Sequence, residues 1–322
     1  PAPTPAPTPA PMVPLDFTGF EEIYSNEHAF MALNRNTGKA RCWGASRFGG
    51  SCGAMDFTGV TDVYSSPRAF VALNRNIGKA QCWGPSWTEG DCDDIDFVGV
   101  TDVYYTSHAF MALNKNSGKT QWWGDTSFFW ACGGIMSGCS DLESIESMGV
   151  TEVHSTEWAF LVLNKNSGKG QCWGSDSYGG DCSDVDFVGV TDVYSNGYAF
   201  MALNKNSGKG HCWGRVLNGG RCGTFEDEDI RDHLDGDYYY YDYYTSDAYI
   251  DMDFAGITDV YSTHSAFMAL NRNTGKAQCW GSPYCGGACG AVDFAGITDV
   301  YSTEWAFMAL DKNTGRAQCW GS

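Results

Sequence analysis

The sequence predicts an all-β fold: a seven-bladed β-propeller of ~40-residue repeats, stapled by disulfides, with an open β-solenoid as the alternative. Three observations predict it. A unit of about forty residues recurs seven times. Within each unit, short β-branched and aromatic runs alternate with turns rich in Gly and Asn. Most units also carry two cysteines ten positions apart.

The unit opens on a glycine, found at Gly19, Gly59, Gly99, Gly149, Gly189, Gly256 and Gly296, so the spacings are 40, 40, 50, 40, 67 and 40. The two long intervals are the same unit carrying insertions at about 133–142 and 223–252. After the glycine, Val-Thr-Asp-Val-Tyr-Ser reads as a strand. Ala-Phe-Met-Ala-Leu is a second, short strand. Asn-Lys-Asn-Ser-Gly-Lys supplies residues that tolerate positive φ and close a hairpin. Lys-Ala-Gln-Cys-Trp-Gly is the next strand, and the variable, Gly-rich stretch after Trp-Gly is a loop. Each unit is thus an antiparallel sheet of three or four strands. No window keeps a helical period for more than two turns. Trp173, Trp213, Phe200, Leu203 and their equivalents recur in every copy and belong to the core. Length alone suggests about two domains, but the repeat makes residues 16–322 one body behind a tail at 1–15. Met12 to Leu15 are expected to complete the last blade. Seven copies favour the ring over the solenoid.

The cysteine spacing predicts the pairs Cys42–Cys52, Cys82–Cys92, Cys172–Cys182, Cys212–Cys222 and Cys279–Cys289. The third unit has Trp122 in place of its first cysteine and gains Cys139 after Cys132, which predicts a local Cys132–Cys139 pair. Cys285 and Cys319 remain: either they pair together or Cys319 bonds outside the chain. Fourteen cysteines at regular spacing indicate an oxidising compartment. Zinc would require ligands at Cys-x-x-Cys or His spacing, and the sequence has none.

The stretch Val190 to Gly214, with Val-x-x-Val-x-Ser, Ala-Phe-x-Ala-Leu and Trp-Gly, resembles the regulator-of-chromosome-condensation repeat. His108 before Ala109 stands where that family often carries His. The resemblance covers about 16–322 and implies the seven-bladed propeller. The unit here is shorter than the family's, and the cysteine pairs are foreign to it. Family members bind chromatin and activate a small GTPase; the fold is carried over and the activity is not.

Net charge is −19, which argues against nucleic acid or an anionic membrane as partner, because both need clustered Lys and Arg. No stretch approaches the ~20 apolar residues of a membrane span. The start at Pro1 reads as a mature secreted chain or a fragment.

Three regions are candidate functional sites. The tail Pro-Ala-Pro-Thr repeats proline and reads as polyproline II. It resembles hydroxyproline-rich glycoproteins, which makes Thr4, Thr8, Pro3, Pro5, Pro7 and Pro9 the candidate O-glycosylation positions. The second insertion holds ten acidic residues and one basic between Glu226 and Asp251. Asp232, Asp235 and Asp237 offer hard oxygens to calcium, although the spacing is not that of an EF-hand loop. Tyr238, Tyr239, Tyr240 and Tyr241, with Tyr243 and Tyr244, suit a subunit contact better. No other cofactor is expected.

The third region is the set of positions that differ between copies. Before Ala-Phe they are His28, Arg68, His108, Trp158, Tyr198, Ser265 and Trp305. After Trp-Gly they include Phe48, Trp87, Phe128, Phe129, Trp130, Tyr178 and Tyr284. Positions free to vary are not dictated by blade packing, and Trp158, Tyr198 and Trp305 are read as interaction residues for a partner or a sugar. Their alternative is folding back over the blade edges.

The six histidines are scattered, and neither a Gly-x-Ser-x-Gly elbow nor a phosphate loop occurs. The chain is therefore expected to be no enzyme. The expectation is an extracellular structural glycoprotein, a building block of a self-assembling filament, surface hair or matrix. Its partners are further copies of itself and attached glycans. The alternative is a glycan-binding lectin or adhesin.

Overall fold

A computed structural model describes residues 17–85, 91–124, 148–222 and 252–322. They form seven separate three-stranded antiparallel sheets, each taken up in chain order. Numbered as blades 1 to 7, these span 22–44, 62–83, 102–124, 152–174, 192–214, 259–281 and 299–321. The seven-bladed, all-β architecture is the one expected, with three strands per blade.

Blade 5 shows why the sequence folds this way. Its strands are Asp192–Ser195, Ala199–Asn204 and Lys209–Gly214, paired so that Ala202 faces Val193 on one side and His211 on the other. The middle strand sends Ala199, Met201 and Leu203 toward blade 6 and Phe200 and Ala202 toward blade 4. Both faces are covered, so the strand reads as an unbroken apolar run rather than an alternating one. Thr191 ties the sheet together: its hydroxyl donates to the Leu203 carbonyl at 3.0 Å and accepts from the Lys205 amide at 3.0 Å. In the hairpin, Asn204 accepts the Asn206 and Ser207 amides at 3.0 Å, which leaves Gly208 at φ +73° to complete the turn.

In each of the four loop regions described in full, two glycines are fixed by close approach. In Trp-Gly of blade 4, a Cβ on Gly174 would lie 2.1 Å from the Trp158 carbonyl oxygen. Past it, the chain makes a 3-10 turn at Asp176–Tyr178 and turns left-handed at Gly179 (φ +90°). A Cβ there would sit 2.6 Å from the Phe200 ring of the next blade. The Gly179 carbonyl accepts the Trp213 indole N–H at 3.1 Å. The Trp-Gly step of one blade and the loop glycine of its predecessor are thus one packing unit.

Six apolar cores lie at the six successive blade junctions, and among the described residues none joins blade 7 to blade 1. Between blades 1 and 2, for example, Ala29, Met31 and Leu33 meet Phe70, Ala72 and Trp83, with Phe57 of the connecting segment between them. The two outward-facing surfaces therefore stay open. Phe30 of blade 1 is 44% exposed, although its equivalents Phe70, Phe110, Phe160, Phe200, Phe267 and Phe307 are at most 1% exposed.

Five disulfides form, Cys42–Cys52, Cys82–Cys92, Cys172–Cys182, Cys212–Cys222 and Cys279–Cys289, all with a separation of 10 residues. Each fastens a blade's third strand to the segment leading to the next blade. Cys285 and Cys319 are not joined: Cys285 is buried in the core between blades 6 and 7, whereas Cys319 is exposed on the last strand. In blade 3, Trp122 occupies the cysteine position and packs on Phe160 and Trp173 of blade 4, at ring distances of 5.1 and 5.5 Å. Cys132 and Cys139 lie outside the described residues. So do the tail with Pro3, Thr4, Pro5, Pro7, Thr8 and Pro9, and the insertion with Asp232, Asp235, Asp237 and Tyr238 to Tyr241.

Candidate functional site

The repeat positions that vary most lie in the tight turn between the first two strands of each blade. That turn is built by a short polar side chain that accepts backbone amides. Asn196 accepts from Tyr198 and Ala199 at 2.8 Å, and Ser66 and Thr106 do the same in blades 2 and 3. The cap fixes the turn and leaves the following residue free in identity.

Backbone hydrogen bonds link these turns from blade to blade. The amides of Ser107, Glu157, Gly197 and His264 donate to the carbonyls of Glu157, Gly197, His264 and Glu304, at 3.0–3.1 Å. At the other end, the Glu27 amide donates to Pro67 at 3.3 Å. Pro67 has no amide of its own, so the ladder skips one rung.

Side chains on this ladder form a continuous row. The Arg68 guanidinium lies 3.4 Å from His108 Nδ1. His108 stacks on Trp158 at 3.4 Å. Trp158 meets Tyr178 at 6.2 Å, and Tyr178 meets Tyr198 at 5.3 Å. Tyr198 stands edge-on to His264 at 4.9 Å, and His264 lies 6.1 Å from Trp305. The row therefore runs from blade 2 to blade 7. The Glu157 carboxylate sits 3.5 Å from His264 Nε2. Burial pushes the Glu157 carboxyl above its ordinary pKa, with His264 and Arg68 opposing and Glu27 and Glu304 reinforcing the rise. Charges on the turns of blades 1, 2, 6 and 7 thus all act on Glu157.

This placement corrects the picture of freely exposed aromatics. Trp158 and Tyr198 are half-buried, because each lies over a side chain of a neighbouring blade. Trp305, on the terminal blade, is 51% exposed. Tyr284 is 74% exposed, and Phe48 lies tilted against His28 at 4.3 Å. Sequence reasoning named Trp158, Tyr198 and Trp305 but missed Glu157 and His264, which stand one place earlier in the same turn. The signal was there: positions 27, 67, 107, 157, 197, 264 and 304 also differ between copies. Chemically, the row offers aromatic faces flanked by a carboxylate, imidazoles and a guanidinium. Such a surface can stack on the apolar face of a ring and bond its hydroxyls.

One recess of about 530 Å³ lies at the outer edge of blade 5, lined by Asp184, Asp186, Lys209, His211 and Asp253. Burial holds the His211 imidazole below its ordinary pKa. Among the described residues no three His, Cys, Asp or Glu side chains are grouped to hold a metal ion. No helix among them is long and apolar enough to cross a membrane.

Fold and site define a class: an all-β chain of propeller-type blades, clipped by disulfides, with an aromatic and charged row across its inner turns. The sequence matches no family model and no curated protein. Among solved structures, the ectodomain of the Physcomitrella patens receptor kinase CR4 is similar at 14% identity and TM-score 0.46, over 93% of this chain and 72% of that one. The CRINKLY WD40 ectodomain of the Arabidopsis thaliana receptor kinase ACR4 is similar at 13% identity and TM-score 0.44, over 93% of both chains. Prp20p of Saccharomyces cerevisiae, the yeast RCC1, is similar at 15% identity and TM-score 0.46, over 88% of this chain and 76% of that one. The fold assignment rests on the strands and their register, not on these likenesses.

Proposed function

We propose that this chain is an extracellular structural glycoprotein, a rigid block for a self-assembling filament, surface hair or matrix, and not an enzyme. The observation that carries the reading is the set of five disulfides, each closing its own blade within a series of near-identical blades. Such bonds persist in an oxidising, extracellular setting. They stiffen five of the seven units rather than prepare one site. The Pro/Thr tail acts as an extended spacer carrying O-linked sugar, and further copies of the chain are the partner.

Two measurements on native material test this. Electron microscopy is expected to show regular assemblies. The intact, unreduced mass is expected to include proline hydroxylation and glycan. Bare, monodisperse monomers at high concentration would defeat the reading.

The inner row supports a second reading, a glycan-binding lectin or adhesin, because it sets Trp158, Tyr198 and Trp305 beside Glu157 and His264. Here a glycan array is expected to give a signal that Trp305→Ala lowers at least tenfold. Silence across a broad array removes it.

A further inference from the structure

We propose that the chain joins a second copy of itself head to tail, with blade 1 of one copy seated on the outer face of blade 7 of the next. The inference rests on the self-assembly reading above and names the two surfaces that accomplish it.

The interface has six precedents inside the chain. At every junction, one half consists of alternate residues of a middle strand, joined at five of the six by the tyrosine of the first strand. Between blades 6 and 7 that half is Ala266, Met268 and Leu270, with Tyr261 and Ala277. The other half is the next blade's Phe307 and Ala309, led in by Phe294 and Ile297 of the connecting segment.

Blades 1 and 7 each present one of these halves that no other described blade covers. On blade 7, Tyr301 is 47% exposed, Ala317 and Cys319 are exposed, and Met308 and Leu310 are half-buried. The equivalents Met268 and Leu270 are fully buried. On blade 1, Ile23 is 63% exposed and Phe30 44% exposed. The lead-in aromatic is already in place there: Phe17 packs on Trp43 at 5.2 Å, as Phe57 packs on Trp83 at 5.4 Å. Blade 1 therefore carries the middle-strand phenylalanine, the third-strand tryptophan and the lead-in aromatic of a junction, with Phe20 where blades 2 to 7 bring Val or Ile.

One backbone pair matches as well. The turn-to-turn ladder ends at the Glu27 carbonyl and the Glu304 amide, which make no inter-blade hydrogen bond among the described residues. Between neighbouring blades, that amide-to-carbonyl step is the one that Gly197 and His264 make at 3.0 Å. Arg75 and Arg272 reach past their own blade to the carbonyls of Val100 and Ile297, at 3.0 and 3.2 Å. Lysine at that position pairs with its own blade's acid instead: Lys115 with Asp102, Lys165 with Glu152, Lys205 with Asp192 and, on blade 7, Lys312 with Asp299.

A second copy is the occupant because the two bare halves are each other's mates. Pairing blade 1 with blade 1 would press lead-in aromatics together, an arrangement found at none of the six junctions. Head-to-tail contact is heterologous: every added copy exposes the same half again, and an open filament results unless the rotation closes.

Two substitutions at exposed positions test the pairing without disturbing a core: Ile23→Lys on blade 1 and Ala317→Lys on blade 7. Sedimentation velocity follows mass against concentration. Maleimide labelling follows Cys319, with Cys319→Ser identifying its signal. Wild-type mass is expected to rise with concentration, while Cys319 labelling slows at least fivefold. Each variant alone is expected to associate at least tenfold more weakly. An equimolar mixture is expected to stop at a dimer, because one variant keeps its blade 1 surface and the other its blade 7 surface. Assembly of both variants like wild type would overturn the interface while leaving a structural role through the tail or the tyrosine-rich insertion intact. A wild type that stays monomeric with Cys319 shielded shows the ring closing on itself and also overturns it. A monomeric wild type with Cys319 freely labelled overturns both the interface and self-assembly.

Discussion

At the residue scale, blade 4 contains an informative exception. Six blades place a tyrosine in the middle of the first strand, and blade 4 places His154 there. Tyr24 and Tyr64, half-buried at this position, have phenol groups pushed up to about 12, chiefly by loss of solvent. The same burial acts on a histidine in the opposite sense, holding His154 below its ordinary value despite the Glu152 carboxylate 3.1 Å away. A histidine that the fold prefers neutral binds fewer protons folded than unfolded. Its contribution is complete above about pH 6.5 and is lost as pH falls below that value. His154→Tyr is therefore expected to flatten the decline of Tm below about pH 6.5, with little change at pH 8, as read by differential scanning calorimetry. Gly179 is the second residue whose chemistry is fixed by geometry. Gly179→Ala must relieve a 2.6 Å approach to the Phe200 ring at a left-handed φ of +90°. Strain plus overpacking is expected to cost roughly 2–4 kcal/mol, measured by denaturant unfolding. No loss would mean that the loop does not press on the next blade.

At the element scale, the disulfide and the blade are one unit. Each bond closes a ten-residue loop between the third strand and the lead-in to the next blade. Chain entropy values such a closure at ~2–3 kcal/mol. The double substitution Cys172→Ser and Cys182→Ser is expected to lower stability by about that amount, and to speed proteolysis around 175–185 before the rest of the chain opens. Uniform opening of all blades would show that the bond supports the whole body rather than its own loop. Blade 3 shows an alternative solution. Trp122 trades the covalent clip for aromatic contact with Phe160 and Trp173, and its indole nitrogen is buried without a hydrogen-bond partner.

At the scale of the whole molecule, six shared cores hold seven blades in a row. Each blade alone has two apolar faces and one thin sheet, too little to fold in isolation, so stability comes from neighbours. The consequence is that blades 1 and 7 each carry an apolar face that no other described blade covers. Mass that rises with concentration, abolished by Ile23→Lys or Ala317→Lys alone and restored to a dimer by mixing, is the expected signature of that surface. The inner row is the other property that belongs to no single blade. Arg68, His108, Trp158, Tyr198, His264 and Trp305 come from six different blades.

The strands, hairpins and five cysteine pairs were legible in the sequence because their partners lie close along the chain. Ala202 pairs with His211 nine residues on, and Cys172 bonds Cys182 ten residues on. Local spacing and turn chemistry suffice for contacts of that kind. The repeat also showed which residues are scaffold: Trp213 and Phe200 recur and are buried together, stacked at 5.1 Å. Only the tertiary structure decided how the variable residues meet, since His264 approaches Tyr198 and Glu157 across 66 and 107 residues of chain. It also decided that Trp158 is covered while Trp305 is open, and that Cys285 is buried away from an exposed Cys319. The reason is physical. Near-identical blades have near-identical local energetics, so differences between copies arise from which neighbour each face meets, and that is set by the stacking of the whole.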